Sequence, residues 1–120
     1  MIRTLAALAF APKLNIRGGA GPARSADYLG KGEMNGVLGV GRTVLEPGSS
    51  IGEHRHPDSE ELYLILEGHG QGVLDGLPFP VGPGDLFICK AGHAHGLRND
   101  SDAPLTLFAV LTQGSTHPAT

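Results

Sequence analysis

The chain has 120 residues, enough for one domain with a buried core, and 40% of them are apolar. Its nine basic residues are outnumbered by twelve acidic ones and are scattered along the chain, which argues against nucleic-acid binding. The sequence contains no run of eighteen apolar residues, so it predicts no helix that crosses a membrane. The single cysteine, Cys89, cannot form an internal disulfide, and we therefore expect a cytoplasmic protein.

The first thirty residues contain few turn signals of their own. Residues 4–9 are compatible with a short helix, and residues 26–29 with a further turn. Residues 17–22 predict a loop but not a phosphate site, because no convincing helix begins directly after them. We expect residues 1–30 to form an N-terminal segment that can cross to a partner subunit as an exchanged strand.

The rest of the chain is divided into many brief segments by glycine and proline, which is typical of an antiparallel β fold. The pair Asp75-Gly76 predicts a tight hairpin, because both residues tolerate the positive φ of a type I′ turn. The predicted strands are 37–45, 51–56, 61–67, 72–74, 77–81, 85–89, 95–98 and 105–111. The sequence therefore predicts an all-β domain over residues 31–114, with a flexible tail at 115–120.

Two histidines stand two residues apart near the end of one predicted strand. His54 and His56 project from the same face of an extended segment, about 6.5 to 7 Å apart along it, so both imidazoles can reach one metal ion. Glu61 shares one face of the next strand with Tyr63, and its carboxylate meets the histidine pair if that strand folds back beside the first. His95, in a later glycine-flanked segment, makes a third imidazole available to the same ion.

These residues lie in two motifs through which the chain resembles the cupins, namely G-x5-H-x-H-x4-E-x6-G and G-x5-P-x-G-x2-H-x3-N. Lys90 stands where the second motif has proline, so the bend before Gly92 lacks a residue with a fixed φ. The matching positions are Gly48, His54, His56, Glu61 and Gly68 in the first motif and Gly84, Gly92, His95 and Asn99 in the second. The resemblance implies an antiparallel jelly-roll β-barrel with the metal inside it.

Three imidazoles and one carboxylate form a donor set that suits a divalent transition metal, namely Fe, Mn, Ni, Cu, Co or Zn. We expect one such ion per chain. A six-coordinate ion would keep two positions for water or substrate, and a zinc ion would keep one. The predicted site is therefore built like a catalytic one rather than a closed structural one.

Two further residues are candidates for proton transfer. Tyr63 should point into the same cavity as Glu61, where its phenol would donate a hydrogen bond to a substrate or act as a base. The alternative is a core aromatic residue whose hydroxyl finds a backbone partner. His93 has the parity of His95 and would face the mouth of the cavity as a proton shuttle or substrate contact; otherwise it is a loop histidine.

Two functions remain open at this stage. The first is a metal-dependent enzyme acting on a small oxygen-containing metabolite in the barrel, as a dioxygenase, an isomerase or epimerase, a decarboxylase or a lyase; the second is a protein that binds a sugar or an organic acid without turnover. Tyr63 beside open coordination positions favours the enzyme. Apolar residues on both faces of 61–67 predict that the outer face packs on a second copy, so a homodimer is the expected assembly.

Overall fold

The computed structural model describes residues 1–114, and it consists of two antiparallel β-sheets that enclose one hydrophobic core. The strands are β1 (Ala11–Leu14), β2 (Pro22–Leu29), β3 (Val37–Leu45), β4 (Ser50–Arg55), β5 (Ser59–Glu67), β6 (Gly70–Leu74), β7 (Leu77–Val81), β8 (Leu86–Cys89), β9 (Ala94–Arg98) and β10 (Leu105–Gln113). One sheet has the order β1-β2-β3-β10-β5-β8 and the other the order β4-β9-β6-β7. The predicted all-β, antiparallel jelly-roll fold is confirmed.

The predicted strands from residue 37 onward are all present, and their ends lie within two residues of the predicted ones. The hairpin between β6 and β7 is also confirmed. Asp75 and Gly76 have φ angles of 48° and 78°, so both central residues take the positive values that a type I′ turn requires. Within residues 1–114 the helical structure consists of two short turns, Leu5–Ala7 and Ile16–Gly18.

The N-terminal segment corrects one prediction, because residues 26–29 are not a turn but the end of β2. Ala26 pairs with Arg42 of β3 and is only 4% exposed. The inward positions of β2 carry small side chains such as Ala23 and Ser25, so the strand lacks the large apolar residues by which alternation is recognised. The large sheet therefore begins at β1, well before the predicted boundary at residue 31.

The strand β1 pairs with β2 of the same chain. An exchange of this segment between two copies stays a prediction. The tail predicted at 115–120 lies outside the described residues.

The core lies between the sheets and places one face of β5 inside the barrel. Leu45, Leu105 and Leu107 of the large sheet pack in one cluster with Ile51 and Leu97 of the small sheet, and each is at most 6% exposed. Because side chains alternate along a strand, β5 turns its odd-numbered residues from 61 to 65 toward this interior. The metal-site candidates are consequently held in the wall of a packed barrel.

The outer face of the large sheet is apolar as well. Leu62 and Leu64 of β5 pair with Ile88 and Leu86 of β8, and the last two residues are 46% and 50% exposed. This agrees with the leucine pattern from which an apolar outer face was predicted. No helix within residues 1–114 is long and apolar enough to cross a membrane.

Candidate metal centre

Three strands bring the four predicted ligands together. His54 lies on β4 and pairs with His95 on the neighbouring strand β9, while His56 follows directly after the end of β4. Glu61 comes from β5 of the opposite sheet. The ligand atoms of these four side chains all lie within 4.8 Å of one another, so residues 41 positions apart in sequence form one cluster.

The donor atoms within the cluster are spaced as ligands of one ion. The Nε2 atoms of His56 and His95 lie 2.9 Å apart. Glu61 Oε1 lies 3.0 Å from His95 Nε2 and 3.3 Å from His56 Nε2. Two ligands about 2.1 Å from an ion, at right angles to each other, are separated by about 3 Å. The observed spacing therefore fits a divalent transition metal.

The hydrogen bonds around the histidines orient their rings. His54 Nδ1 lies 2.7 Å from the carbonyl oxygen of Gly52, which only accepts, so Nδ1 carries the proton and Nε2 keeps its lone pair. His56 Nδ1 lies 2.9 Å from Ser59 Oγ, which leaves its Nε2 on the side of the cluster. Such partners are typical of metal-binding histidines, because they fix the tautomer that ligates.

Burial favours the neutral imidazoles that a metal requires. Desolvation lowers the pKa of both His54 and His56 below the usual histidine value, although the nearby charge of Glu61 opposes this shift. His95 is completely buried, and its Nδ1 has no hydrogen-bond partner among the described residues. The lowered pKa values thus favour the neutral form of His54 and His56, which is the form that binds a metal ion.

Tyr63 lies where the sequence predicted, with its ring in the core beside the cluster. The ring stacks on that of His95, with centroids 4.3 Å apart and planes 25° from parallel, and meets Phe87 edge-on at 5.4 Å. Burial, and then the charge of Glu61, raise the pKa of Tyr63 well above its usual value. The protein's own groups therefore keep the phenol protonated, which suits hydrogen-bond donation better than action as a base.

His93 is not brought to the cluster. Its Nδ1 lies 2.6 Å from Asp75 Oδ2 on the β6–β7 hairpin, and its side chain is 56% exposed. Asp75 Oδ1 also accepts a hydrogen bond from the backbone N–H of Ala94. Because β9 begins only at Ala94, strand parity does not extend back to His93. The predicted proton-transfer role of His93 stays a prediction without support from the geometry.

Backbone hydrogen bonds hold the loop before Gly92, where Lys90 stands in place of the motif proline. The backbone N–H of Gly92 donates to the carbonyl of His56, and the backbone N–H of His56 donates to the carbonyl of His93, at 2.7 and 3.0 Å. These bonds fasten the loop to the end of β4. Asn99, at the other end of β9, is buried and donates through Nδ2 to the carbonyls of Leu45 and Ala103. These two bonds anchor the strand that carries His95.

A cavity of about 420 Å³ adjoins the cluster, and sequence reasoning missed part of its wall. Leu107, Ala109 and Leu111 of β10 form an apolar side. The remaining lining residues are Lys13, Leu14, Asn15, Ile16, Arg17, Ser25, Thr43, Ile51, His54, His56, Glu61 and Tyr63. The contribution of residues 13–17 was not predicted, because it depends on how the N-terminal loop packs against β4.

The Cupin_2 family, described as a cupin domain, matches residues 41–111. The chain therefore belongs to the cupin family. It is similar to the oxalate-binding protein of Thermotoga maritima, with 35% identity over 98 residues, which are 81% of this chain and 81% of that protein.

A second relative is the 5-nitrosalicylic acid 1,2-dioxygenase of a Bradyrhizobium species, 30% identical over 87 residues. The match covers 68% of this chain but 42% of the dioxygenase, so the chain spans less than half of that enzyme's length. Among solved structures, a predicted oxalate decarboxylase from Thermotoga maritima has a TM-score of 0.91 at 32% identity, covering 94% of this chain and 99% of that one.

Proposed function

We propose that this chain binds one divalent transition-metal ion through His54, His56, Glu61 and His95 and acts as an enzyme on a small carboxylic acid bound beside that ion. The observation that carries the proposal is the convergence of four donor atoms within 4.8 Å, three of whose residues line a cavity large enough for a small metabolite. A four-ligand site leaves positions on a six-coordinate ion for such a molecule.

The names of two relatives support a carboxylic acid as the ligand class. One relative is named for oxalate and the other for 5-nitrosalicylic acid. Both molecules carry a carboxylate with a second oxygen close to it, so each can offer two oxygens to neighbouring positions on one ion. Oxygen donors of this kind suit the divalent metals that a histidine and carboxylate site holds.

Both the bound ion and residues of the chain would contribute to the reaction. A bound divalent ion would polarise an oxygen of the acid and stabilise the negative charge that develops there. The phenol of Tyr63 would donate a hydrogen bond into the cavity, since its raised pKa keeps it protonated. Leu107, Ala109 and Leu111 would exclude water from one side of the ligand, which strengthens the electrostatic interactions on the other side.

A second candidate is a protein that binds the acid without turnover. Within residues 1–114, the only imidazoles and carboxylates that line this cavity belong to the metal cluster itself, namely His54, His56 and Glu61. The raised pKa of Tyr63 makes its phenol a poor general base, which favours binding without turnover. The name of the Thermotoga maritima relative, an oxalate-binding protein, favours the same alternative.

Elemental analysis tests the assignment of the metal ligands. We expect about one equivalent of transition metal per chain by elemental analysis, and a loss of an order of magnitude or more in His54→Ala and His56→Ala. His69→Ala, which removes an exposed histidine from the β5–β6 turn, is the matched control and should keep the metal. Unchanged metal content in the first two variants would refute the ligand assignment.

The two candidate functions are distinguished by whether the bound ligand is converted to another molecule. Oxalate added to the metal-loaded protein should bind in a calorimetric titration, and carbon NMR then follows the bound molecule. Conversion of oxalate to a new carbon species supports the enzyme. Oxalate recovered unchanged, together with no turnover in a screen of small carboxylic acids, would overturn the enzyme and support the binding protein.

We further propose that the outer face of β5 and β8 packs on a second copy of the chain. Leu86 and Ile88 are about half exposed and lie beside Leu64 and Leu62, so they form a continuous apolar surface. Burying such a surface against an identical one is favourable at about 25 cal/mol for each Å² of apolar area removed from water. A twofold contact would also satisfy the symmetry of most homodimers.

A further inference from the structure

A loop between β1 and β2 lies against the strand that carries His54. We call residues 15–21 the strap. Two hydrogen bonds join its ends. The backbone N–H of Asn15 donates to the carbonyl of Gly21, and the backbone N–H of Gly21 donates to Asn15 Oδ1. The strap is therefore a closed loop of defined shape rather than an open connection.

The strap is fastened to β4 at close range. The backbone N–H of Ser50 donates to the carbonyl of Ala20 at 2.8 Å, and Ser50 Oγ accepts from the backbone N–H of Ala20 at 2.9 Å. Gly19 and Gly52 face each other in this contact, and a side chain on either one would collide with the backbone of the other element. Because the two backbones touch, the position of the strap over the cavity is fixed by β4.

Arg17 is the residue that this contact presents to the cavity. Its φ and ψ angles of 54° and 37° lie in the left-handed region, which a residue with a side chain adopts only when its surroundings impose it. Arg17 lines the cavity beside the metal cluster and also the adjoining one of about 630 Å³. Arg17 and the ligands His54 and Glu61 therefore line one cavity.

The charge of Arg17 has no ion-pair partner among residues 1–114. Within residues 1–114 neither Arg17 nor Lys13, the other cation that lines the cavity, forms an ion pair. Among the described residues, the one carboxylate that lines this cavity is that of Glu61, which belongs to the metal cluster. With a divalent ion in place, the cavity would carry a net positive charge, and an anion would be attracted into it.

Building on the proposed function, we infer that Arg17 binds a carboxylate of the acid that occupies the cavity and thereby selects anionic ligands over neutral ones. The guanidinium has the planar donor arrangement that pairs with a carboxylate through two hydrogen bonds. A strap fixed to the His54 strand holds the backbone of Arg17 at a constant position relative to that strand. Arg17 is thus a specificity-determining residue rather than a ligand of the ion.

The test compares two probes on the Co(II)-loaded protein at pH 8 by isothermal titration calorimetry. Oxalate carries two negative charges, whereas imidazole is neutral and reports only on the open positions of the metal. In Arg17→Gln we expect the oxalate affinity to fall at least about tenfold, while imidazole and Co(II) affinities stay within about twofold. Arg98→Gln is the matched control, because it removes the same charge from an exposed residue that lines neither cavity.

Arg17→Gly separates the charge from the shape of the strap. Glycine adopts the left-handed conformation without strain, so this variant should keep or raise the melting temperature and still lose oxalate affinity. A lower melting temperature would show that the arginine side chain supports the fold instead. If the wild type binds oxalate and both Arg17 variants bind it equally well, the inference is wrong while the proposed function stands. A wild type that binds Co(II) and imidazole but not oxalate would contradict both.

Discussion

Substituting Gly52 with alanine should displace the strap from β4. An added methyl group would lie 2.8 Å from the backbone nitrogen of Gly19 and 3.0 Å from the carbonyl carbon of Gly18, and closer still to the carbonyl oxygen of Arg17. These are backbone atoms, which cannot rotate away as a flexible side chain would. The strap must therefore move outward by several tenths of an ångström or more, and its hydrogen bonds to Ser50 must lengthen.

The expected cost combines overpacking with weakened hydrogen bonds. Inserting a methyl group into a close-packed contact costs about 1 to 3 kcal/mol. Each hydrogen bond lost from the strap adds about 0.5 to 1.5 kcal/mol. We therefore expect Gly52→Ala to lower the free energy of unfolding by about 2 to 4 kcal/mol. In a urea titration the midpoint should fall by about 1 to 2 M with little change in slope.

Gly39→Ala is the matched control for a glycine within a strand. Its added methyl group would lie 3.8 Å from the carbonyl oxygen of Leu29, which is an ordinary contact. This variant should match the wild type or exceed its stability by about 0.4 to 1 kcal/mol, since alanine restricts the unfolded chain. A Gly52→Ala protein as stable as the Gly39→Ala protein would show that the strap is not packed on β4, and the placement of Arg17 would lose its basis.

Three further predictions concern the cluster and the assembly. Tyr63→Phe should keep the metal, measured by elemental analysis, and slow any proton-transfer step; metal loss would give the phenol a structural role instead. Burial lowers the pKa of His54 and His56, so unfolding the metal-free protein takes up protons as the pH falls below about 6.5. The melting temperature should thus be lower at pH 5.5 than at pH 7.5, and a flat profile between these values would contradict that assignment. Light scattering should return twice the 12.4 kDa chain mass for the wild type and the single mass for Ile88→Lys, whereas a monomeric wild type would exclude the homodimer.

The parts of the site that the sequence predicted are those that depend on strand parity. His54, His56 and Glu61 lie on extended segments, where alternate residues share a face, and the structure brings them together as that rule requires. The Asp75-Gly76 hairpin was likewise predictable, because it depends on the local backbone conformation of two residues. The anchoring role of Asn99 was predictable from its place in the motif. The rule of alternating faces does not apply to His93, because β9 begins one residue after it.

The parts that the sequence did not predict depend on contacts between distant backbones. The strap contains a glycine-rich stretch that suggests only a loop, and its position follows from the approach of Gly19 to Gly52, 33 residues later in the chain. The strand β2 was missed because its inward side chains are small. Arg17 could not be recognised from the sequence, since an isolated arginine in a loop is ordinarily a surface residue.

The most direct test of the metal centre is a crystal of the metal-loaded protein measured on both sides of the absorption edge of the bound metal. The arrangement of donor atoms predicts one anomalous peak per chain, about 2.0 to 2.3 Å from the Nε2 atoms of His54, His56 and His95 and from a carboxylate oxygen of Glu61. A peak at another place in the chain, with these four side chains pointing away from one another, would contradict the account.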